Sequence, residues 1–130
     1  MSNHPSVLPL PPHSIATIPW ANYWELLCFL CRKRLRFQVQ GHSMQPLLHP
    51  HEEVLVIPKK VVQIGDIVVL KHPYKSHTTM IKYVAQITTQ SQLYVLGTNL
   101  AESTDSRSLG YLSSHLLYGC VRSKLPPLSP

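Results

Sequence analysis

The chain has few cysteines and no long apolar segment, which are the features of disulfide frameworks and of membrane-spanning helices. Its 130 residues include three cysteines, a low and odd count that argues against a disulfide framework. The apolar segment at residues 20–30 contains Glu25 and is roughly half as long as a membrane-spanning helix. The amino terminus lacks the early positive charge and uninterrupted apolar core of a signal peptide. We therefore expect a cytoplasmic protein with no transmembrane span.

Acidic residues are also scarce. Six Asp and Glu residues stand against 12 Lys and Arg, which gives a net charge of +6. Much of this charge is concentrated at residues 32–36 (RKRLR), without the interleaved aromatic residues of RNA-binding signatures. We therefore expect no nucleic-acid partner. With 44% hydrophobic and 14% charged residues, the composition is that of one globular domain.

The histidine and cysteine spacings give little support for a metal site. Cys28 and Cys31 lie in an apolar helical pattern without a second pair, which favours core packing over a redox or metal role. His42, His49 and His51 are close in sequence but lack the spacing of zinc ligands, so we interpret them as solvated loop residues. No metal or other cofactor is expected.

Proline content and hydrophobic patterns divide the chain into four segments. Residues 1–19 carry five of the twelve prolines and are expected to form an extended, poorly ordered tail. Residues 20–35 predict a short amphipathic helix with a basic end. This helix either makes peripheral contact with an anionic membrane or packs on the domain with its basic end in water. Residues 36–124 are the main domain, and the proline-rich residues 125–130 are a second tail.

The pattern of the main domain is typical of antiparallel β structure. Short β-branched runs are separated by Gly, Pro, Asn and Asp turns. The predicted strands cover residues 37–40, 54–57, 67–71, 79–87, 93–96 and 117–122. The expected fold class is mainly β, an antiparallel domain with one short N-terminal helix.

The segment at residues 41–46 (GHSMQP) predicts a turn that presents a serine. A free serine is a poor nucleophile, so catalysis at Ser43 needs a base. Lys82 interrupts an apolar run, and at the strand period its neighbours on the same face are Met80 and Val84. Apolar surroundings lower the pKa of a lysine, and a neutral amine can accept the serine proton. Each feature alone is more often an ordinary turn or a lysine that extends to water.

The order of four motifs resembles that of signal peptidase I and the related LexA-type autoproteases. These motifs are Gly41-x-Ser43-Met44-x-Pro46, Gly65-Asp66-Ile67-Val68-Val69, Ile81-Lys82, and Gly97-Thr98-Asn99 with the following segment 103–110 (STDSRSLG). The resemblance covers about residues 36–122 and implies a serine protease with a Ser–Lys dyad in a LexA-like β fold. The short form is most similar to the nickel-type superoxide dismutase maturation proteases. That family removes an N-terminal extension from the dismutase precursor, which would be the partner here.

The resemblance implies a role for each matching residue. Ser43 matches the nucleophile, Lys82 the general base, and Ser103 a serine that hydrogen-bonds and orients the lysine. The backbone N–H of Ser43 is an implied oxyanion donor, and Gly41 offers no hydroxyl for a second one. Asp105 and Arg107 match a pair that shapes the loop bearing Ser103. The implied structural positions near the site are Gly41, Met44, Pro46, Gly97, Asn99, Asp105 and Arg107.

Three positions depart from the family pattern. Tyr83 stands where arginine is usual and Thr98 where aspartate is usual, so one basic and one acidic position are lost together. His51 replaces a usual glycine and tolerates left-handed backbone less well, so its turn is expected to differ in shape.

Two other functions fit the same sequence. One is a membrane-associated signal peptidase that processes exported preproteins, and the other is an inactive peptide-binding module of the same fold. A LexA-like self-cleaving regulator is not expected, because the chain has no room for a DNA-binding domain and a cleavage loop.

Overall fold

A computed structural model describes residues 18–126 and contains seven strands and two α-helices in that range. The proline-rich tails predicted from the sequence, residues 1–19 and 125–130, lie largely outside the described residues. In chain order the elements are α1 Tyr23–Leu30, β1 Leu35–Gln38, β2 Glu53–Pro58, β3 Ile67–Lys71, β4 Thr79–Ile87, β5 Gln92–Leu96, α2 Ser106–Leu109, β6 Leu112–Ser113 and β7 Leu117–Leu125.

The strands form one antiparallel sheet in the order β1-β2-β7-β3-β4-β5-β6. The register shifts between Leu55 and Val56, between Val69 and Leu70, and again within β4. Such bulges increase the local twist and bend the strands, so the sheet curls. The expected fold, a mainly antiparallel β domain with one short helix at its start, is confirmed.

The core has two clusters because β3 is buried on both faces. Ile67 and Val69 pack in one cluster, and Val68 and Leu70 pack in the other. Successive side chains of a strand point to opposite faces, so this alternation follows from the strand geometry. All four side chains are buried, which explains why β3 is a continuous apolar run rather than an alternating one.

The observed strand bounds agree closely with the predicted ones in the middle of the chain and less well at its ends. β3 and β4 have the predicted bounds, whereas β7 continues to Leu125, which the sequence analysis placed in the tail. Leu125 pairs with Glu53 of β2, and this pairing keeps β7 in the sheet up to the residue before Pro126. The short strand β6 was not predicted, since two residues are too few to show an alternating pattern.

The helix is shorter than predicted at both ends. Asn22 is the N-cap, and its side chain accepts a hydrogen bond from the backbone N–H of Glu25. Trp20 is extended and forms a bridge with Lys124 at the end of β7. After Leu30 the chain turns at once, with a positive φ of 62° at Arg32. No helix within residues 18–126 has the length and apolarity needed to cross a bilayer.

The two cysteines of the helical segment have different surroundings. Cys28 is buried, as core packing predicts, whereas Cys31 is exposed just beyond the helix. The core-packing interpretation is therefore wrong for Cys31, because the helix ends at Leu30 and leaves Cys31 exposed at its C-cap.

Candidate active site

The turn that carries Ser43 is fixed by one glycine and one buried methionine. Gly41 has a φ of +75°, a conformation that favours glycine, while a Cβ there would touch nothing within 4 Å. Met44 is 1% exposed and packs in the core. The N–H of Leu48 donates to the Met44 carbonyl at 2.8 Å. The turn is anchored on its Met44 side, and Ser43 is left half-buried at the surface.

Lys82 lies in the middle of the sheet and contacts this serine. Its residue is only 4% exposed, and its Nζ atom hydrogen-bonds Ser43 Oγ at 2.7 Å. Met80 and Val84, the same-face neighbours expected from the strand period, are both buried. Val68, the residue paired with Lys82 on β3, is fully buried as well. The lysine is thus surrounded by apolar side chains and has a hydroxyl at hydrogen-bond distance.

Burial changes the proton affinity of this amine. Desolvation lowers the pKa of Lys82 from 10.5 to about 8, with the nearby Asp105 opposing the shift and Arg107 adding to it. A lysine with this pKa is partly neutral at mildly alkaline pH. In its neutral form, the amine can accept a proton from Ser43 across the existing 2.7 Å contact.

Thr98 and Asn99 hold the backbone on both sides of the serine, and we call these two residues the serine clamp. Thr98 Oγ1 donates to the Gln45 carbonyl at 3.0 Å. The Asn99 side-chain amide donates to the His42 carbonyl at 3.1 Å, and its backbone N–H donates to the Ser43 carbonyl at 2.8 Å. Sequence reasoning treated Thr98 only as a departure from the family pattern and missed this contact, because it joins residues 53 positions apart.

Gly97 lets the clamp approach the serine turn. A Cβ at this position would lie within 3 Å of both the Ser103 side chain and the Ser43 carbonyl. Its backbone N–H donates to the Asp105 carboxylate at 3.2 Å. Any side chain here would therefore separate the serine turn from the loop that follows β5.

Ser103 lies beside the site without the contact that the resemblance implies. Its Oγ atom is buried and has no hydrogen-bond partner of good geometry within residues 18–126. The expected bond to Lys82 is therefore not formed in this structure. The Ser103 hydroxyl packs against Gly97 and is close enough to Asp105 to help lower the pKa of that carboxyl.

Asp105 and Arg107 organise the loop between β5 and β6. The Asp105 carboxylate caps α2 by accepting the backbone N–H of Arg107, and it also accepts the Arg107 Nε at 2.9 Å. Burial alone would raise the pKa of Asp105, but these bonds from Arg107 and the Gly97 N–H lower it overall. The Arg107 guanidinium also bonds the carbonyls of Leu100 and Ser103, so one ion pair ties the loop together.

Ser43 and Lys82 lie in an open groove of about 530 Å³. Residues 36–44 line one side and residues 77–82 the other. β1 is the last strand of the sheet on its side. β4 pairs with β5 only from Tyr83 onward, so Thr79 to Lys82 have no strand partner on that edge among the described residues. Two unpaired backbone edges therefore border the groove, and such edges can pair with an extended peptide.

His72 is a buried groove residue that the sequence analysis did not single out. Its Nδ1 accepts the backbone N–H groups of Tyr74 and Lys75. Burial, with a smaller effect from Lys75, lowers the pKa of this histidine. It stabilises the turn between β3 and β4 beside the groove, and the only sequence signal for this role is its place before Pro73.

The histidines considered for a metal site are separate exposed residues. His42, His49 and His51 are all exposed, and His49 Nδ1 is 3.2 Å from the Gln45 amide. Within residues 18–126, no group of three His, Cys, Asp or Glu side chains is arranged to hold a metal ion. His51 has a φ of +73°, so the backbone at this histidine is left-handed.

The comparison with family models agrees with this arrangement. The model described as "Signal peptidase, peptidase S26" matches residues 21–90, which is more than half of the chain. The match contains both Ser43 and Lys82 and ends before the loop that carries Ser103. No curated protein matches the chain. The chain belongs to the signal peptidase family of serine-type peptidases.

Proposed function

We propose that the chain is a serine endopeptidase in which Ser43 is the nucleophile and Lys82 the general base. The observation that carries this proposal is the 2.7 Å contact between Lys82 Nζ and Ser43 Oγ, made by a lysine whose pKa burial lowers to about 8. Membership of the signal peptidase family supports it independently.

The first chemical step is acylation. Ser43 Oγ attacks the scissile carbonyl carbon while neutral Lys82 takes the hydroxyl proton, and a C–O bond forms. The tetrahedral intermediate collapses as the C–N bond breaks, and the Lys82 ammonium protonates the leaving amine. The new amino terminus departs and leaves an ester on Ser43. The same lysine then accepts a proton from water, whose oxygen attacks the ester carbonyl carbon. The ester C–O bond to Ser43 breaks, the Lys82 ammonium returns the proton to Ser43 Oγ, and the product leaves as a carboxylate.

The negative charge on the intermediate needs hydrogen-bond donors. The backbone N–H of Ser43 donates to no acceptor within residues 18–126, so it is available for an oxyanion. Gly41 carries no hydroxyl, which leaves a backbone group or water as the second donor. The serine clamp keeps this N–H in place by binding the carbonyls of His42 and Ser43.

The proposed substrate is an extended polypeptide. A peptide strand in the groove could pair with the free edges of β1 and of Thr79 to Lys82, and its scissile bond would then lie near Ser43. We further propose that the natural substrate is a nickel superoxide dismutase precursor, whose N-terminal extension is removed. This assignment is supported by the resemblance of the segment at residues 103–107 (STDSR) to the maturation proteases.

Activity should depend on pH through Lys82. Because only the neutral amine acts as a base, kcat should rise with pH and level off above a pH of about 8. The measurement is the pH profile of cleavage under conditions where the protein remains folded. A flat profile from mild acid to alkaline pH would contradict the assignment of Lys82.

The direct experiment is cleavage of a nickel superoxide dismutase precursor by the full chain, with Ser43→Ala and Lys82→Ala variants alongside. The product's new amino terminus is identified by mass spectrometry. A single defined cut that both substitutions abolish would support the dyad and the maturation role together. If the folded wild type makes no cut but a serine-directed probe labels Ser43, the substrate assignment is wrong. If the probe does not label it, the chain is an inactive module.

A second candidate is the processing of preproteins at a membrane surface. The observation that favours it is the row of exposed aromatic and leucine side chains on α1. An exported preprotein with a small-residue cleavage site, presented on vesicles and in solution, distinguishes the two functions.

A further inference from the structure

Helix α1 presents its apolar face to solvent. Four side chains of the helix, Tyr23, Trp24, Leu27 and Leu30, are each more than half exposed, and Trp20 just before the helix is 56% exposed with the Lys124 amine 4.5 Å from its ring centroid. A surface helix of a globular domain normally points such a face at the core. A contiguous exposed apolar surface of this kind marks an interaction site. We call these five residues the α1 face.

The side of the helix that packs on the domain carries its one acidic residue and a cysteine. Glu25 and Cys28 are its buried residues. The Glu25 carboxylate forms an ion pair with Arg34 at 3.0 Å and lies 3.4 Å from the Ser123 hydroxyl. The only acidic residue of the helix is therefore neutralised and turned away from solvent, so the α1 face carries no negative charge.

Positive charge lies immediately after the helix. Arg34 is paired with Glu25, and Arg36 is paired with Glu53. Arg32 and Lys33 are exposed and form no ion pair with any described residue. Two uncompensated cations thus follow directly on an exposed aromatic and aliphatic face.

We propose that the α1 face, with Arg32 and Lys33, docks on an anionic phospholipid surface, and that the helix lies in the plane of the interface. Tryptophan and tyrosine favour the headgroup level because their rings are apolar and carry a polar N–H or O–H. Leucines reach the acyl boundary, and the cations bind lipid phosphates. The charge pattern favours lipid over a second copy of the chain as the occupant, since the α1 face of a second copy offers Arg32 and Lys33 no free acidic side chain, whereas lipid phosphates carry negative charge.

Docking on this face would fix the position of the groove relative to the lipid. β1 begins at Leu35, two residues after Lys33, and Arg36, Phe37 and Gln38 of that strand line the groove. One wall of the groove therefore follows directly in the chain on the segment that would touch the membrane.

The test is flotation of the full chain with two kinds of vesicle, one of phosphatidylcholine alone and one of equal parts phosphatidylcholine and phosphatidylglycerol. We expect binding to the anionic vesicles that weakens as salt is added. The double variant Trp24→Ser with Leu27→Ser should weaken it at least about tenfold, because it removes the buried apolar area. Arg32→Gln with Lys33→Gln should weaken it about fivefold for each charge removed.

Matched controls use exposed side chains that lie outside helix α1 and the basic segment that follows it. Val61→Ser with Ile64→Ser removes two side chains that are 84% and 67% exposed, and Lys59→Gln with Lys71→Gln removes two exposed cations. These positions lie near the end of β2 that pairs with Gly119, whereas α1 packs near Ser123. Neither control should change vesicle binding. All substituted side chains are exposed, so the melting temperature should be unchanged, which is checked for each variant.

Three results would overturn the proposal. They are no binding of the wild type to the anionic vesicles, equal losses in the α1 and control variants, and concentration-dependent self-association that the Trp24 and Leu27 substitutions abolish. The last would assign the α1 face to a second copy of the chain. Cleavage of a soluble precursor should be the same in the α1 variants and the wild type, so this test is independent of the proposed peptidase activity.

Discussion

At the residue scale, Lys82 is an ionisable side chain that is buried among apolar neighbours. Burial lowers its pKa from 10.5 to about 8, so the folded protein bears the unfavourable energy of a buried ammonium below a pH of about 8. This destabilisation declines between a pH of about 8 and 10.5, where the unfolded chain binds the proton more tightly than the folded one.

Replacing this lysine should therefore stabilise the protein while it abolishes cleavage. Lys82→Met keeps a similar length without the charge, and we expect an unfolding free energy about 1 to 3 kcal/mol higher at neutral pH. The gain should shrink as the pH approaches 10.5. Urea unfolding at several pH values measures it. A variant that is less stable than the wild type at neutral pH would mean that the contacts of Lys82 stabilise the fold by more than the burial of its charge destabilises it.

The contact of the Thr98 hydroxyl can be tested by a substitution that removes only the hydrogen-bond donor. Its hydroxyl donates to the Gln45 carbonyl beside the nucleophile. Thr98→Val preserves shape but removes the donor, so kcat should fall by roughly tenfold with little change in KM, the equivalent of about one hydrogen bond. Thr98→Ser retains the donor and should be close to wild type. Equal losses in both variants would show that the methyl group matters rather than the bond.

His51 has a side chain at a backbone conformation that favours glycine. Its φ of +73° is left-handed, and its side chain is exposed. His51→Gly should raise the unfolding free energy by about 0.5 to 1 kcal/mol, since relief of the strain exceeds the added flexibility of the unfolded chain. His51→Ala keeps the strain and serves as the control. Thermal unfolding separates the two, and a gain from alanine would contradict the role of the backbone.

At the element scale, the loop from Gly97 to Leu109 sets the electrostatic environment of Lys82, the proposed base. Asp105 raises the pKa of Lys82 and Arg107 lowers it. Asp105→Asn should shift the acid limb of the pH–kcat profile to lower pH, and Arg107→Gln should shift it to higher pH. Both variants should also lose about 1 to 3 kcal/mol of stability, because each breaks the ion pair between Arg107 and the buried Asp105 carboxylate that ties the loop together. Shifts in the same direction would indicate that the loop itself has moved.

The elements differ in how far the sequence could predict them. The long β-branched runs of β3 and β4 gave the correct bounds, and the strand period gave the buried neighbours of Lys82. α2 and β6 are too short for any period to be visible. The contact of Thr98 with Gln45 and the missing bond of Ser103 depend on how two distant loops pack, which local pattern does not encode.

At the scale of the whole molecule, the groove and the α1 face are two surfaces that could bind other molecules. The groove is bordered by strand edges without partners, and the α1 face is an apolar surface without a covering layer. Both lie along the same stretch, since α1 leads directly into β1. The sequence indicated the helix and its basic end, but which side of the helix packs on the domain depends on the Glu25–Arg34 ion pair and on Ser123.

The contact between Ser43 and Lys82 joins a turn and a strand that are 39 positions apart. During synthesis the serine leaves the ribosome before the lysine, and at that stage it is an ordinary alcohol. In the proposed mechanism, its reactivity begins only when β4 is in place and Thr98 and Asn99 have bound the turn. A newly made or partly unfolded copy therefore cannot attack its neighbours, and a protease built in this way is switched on by the completion of its own folding.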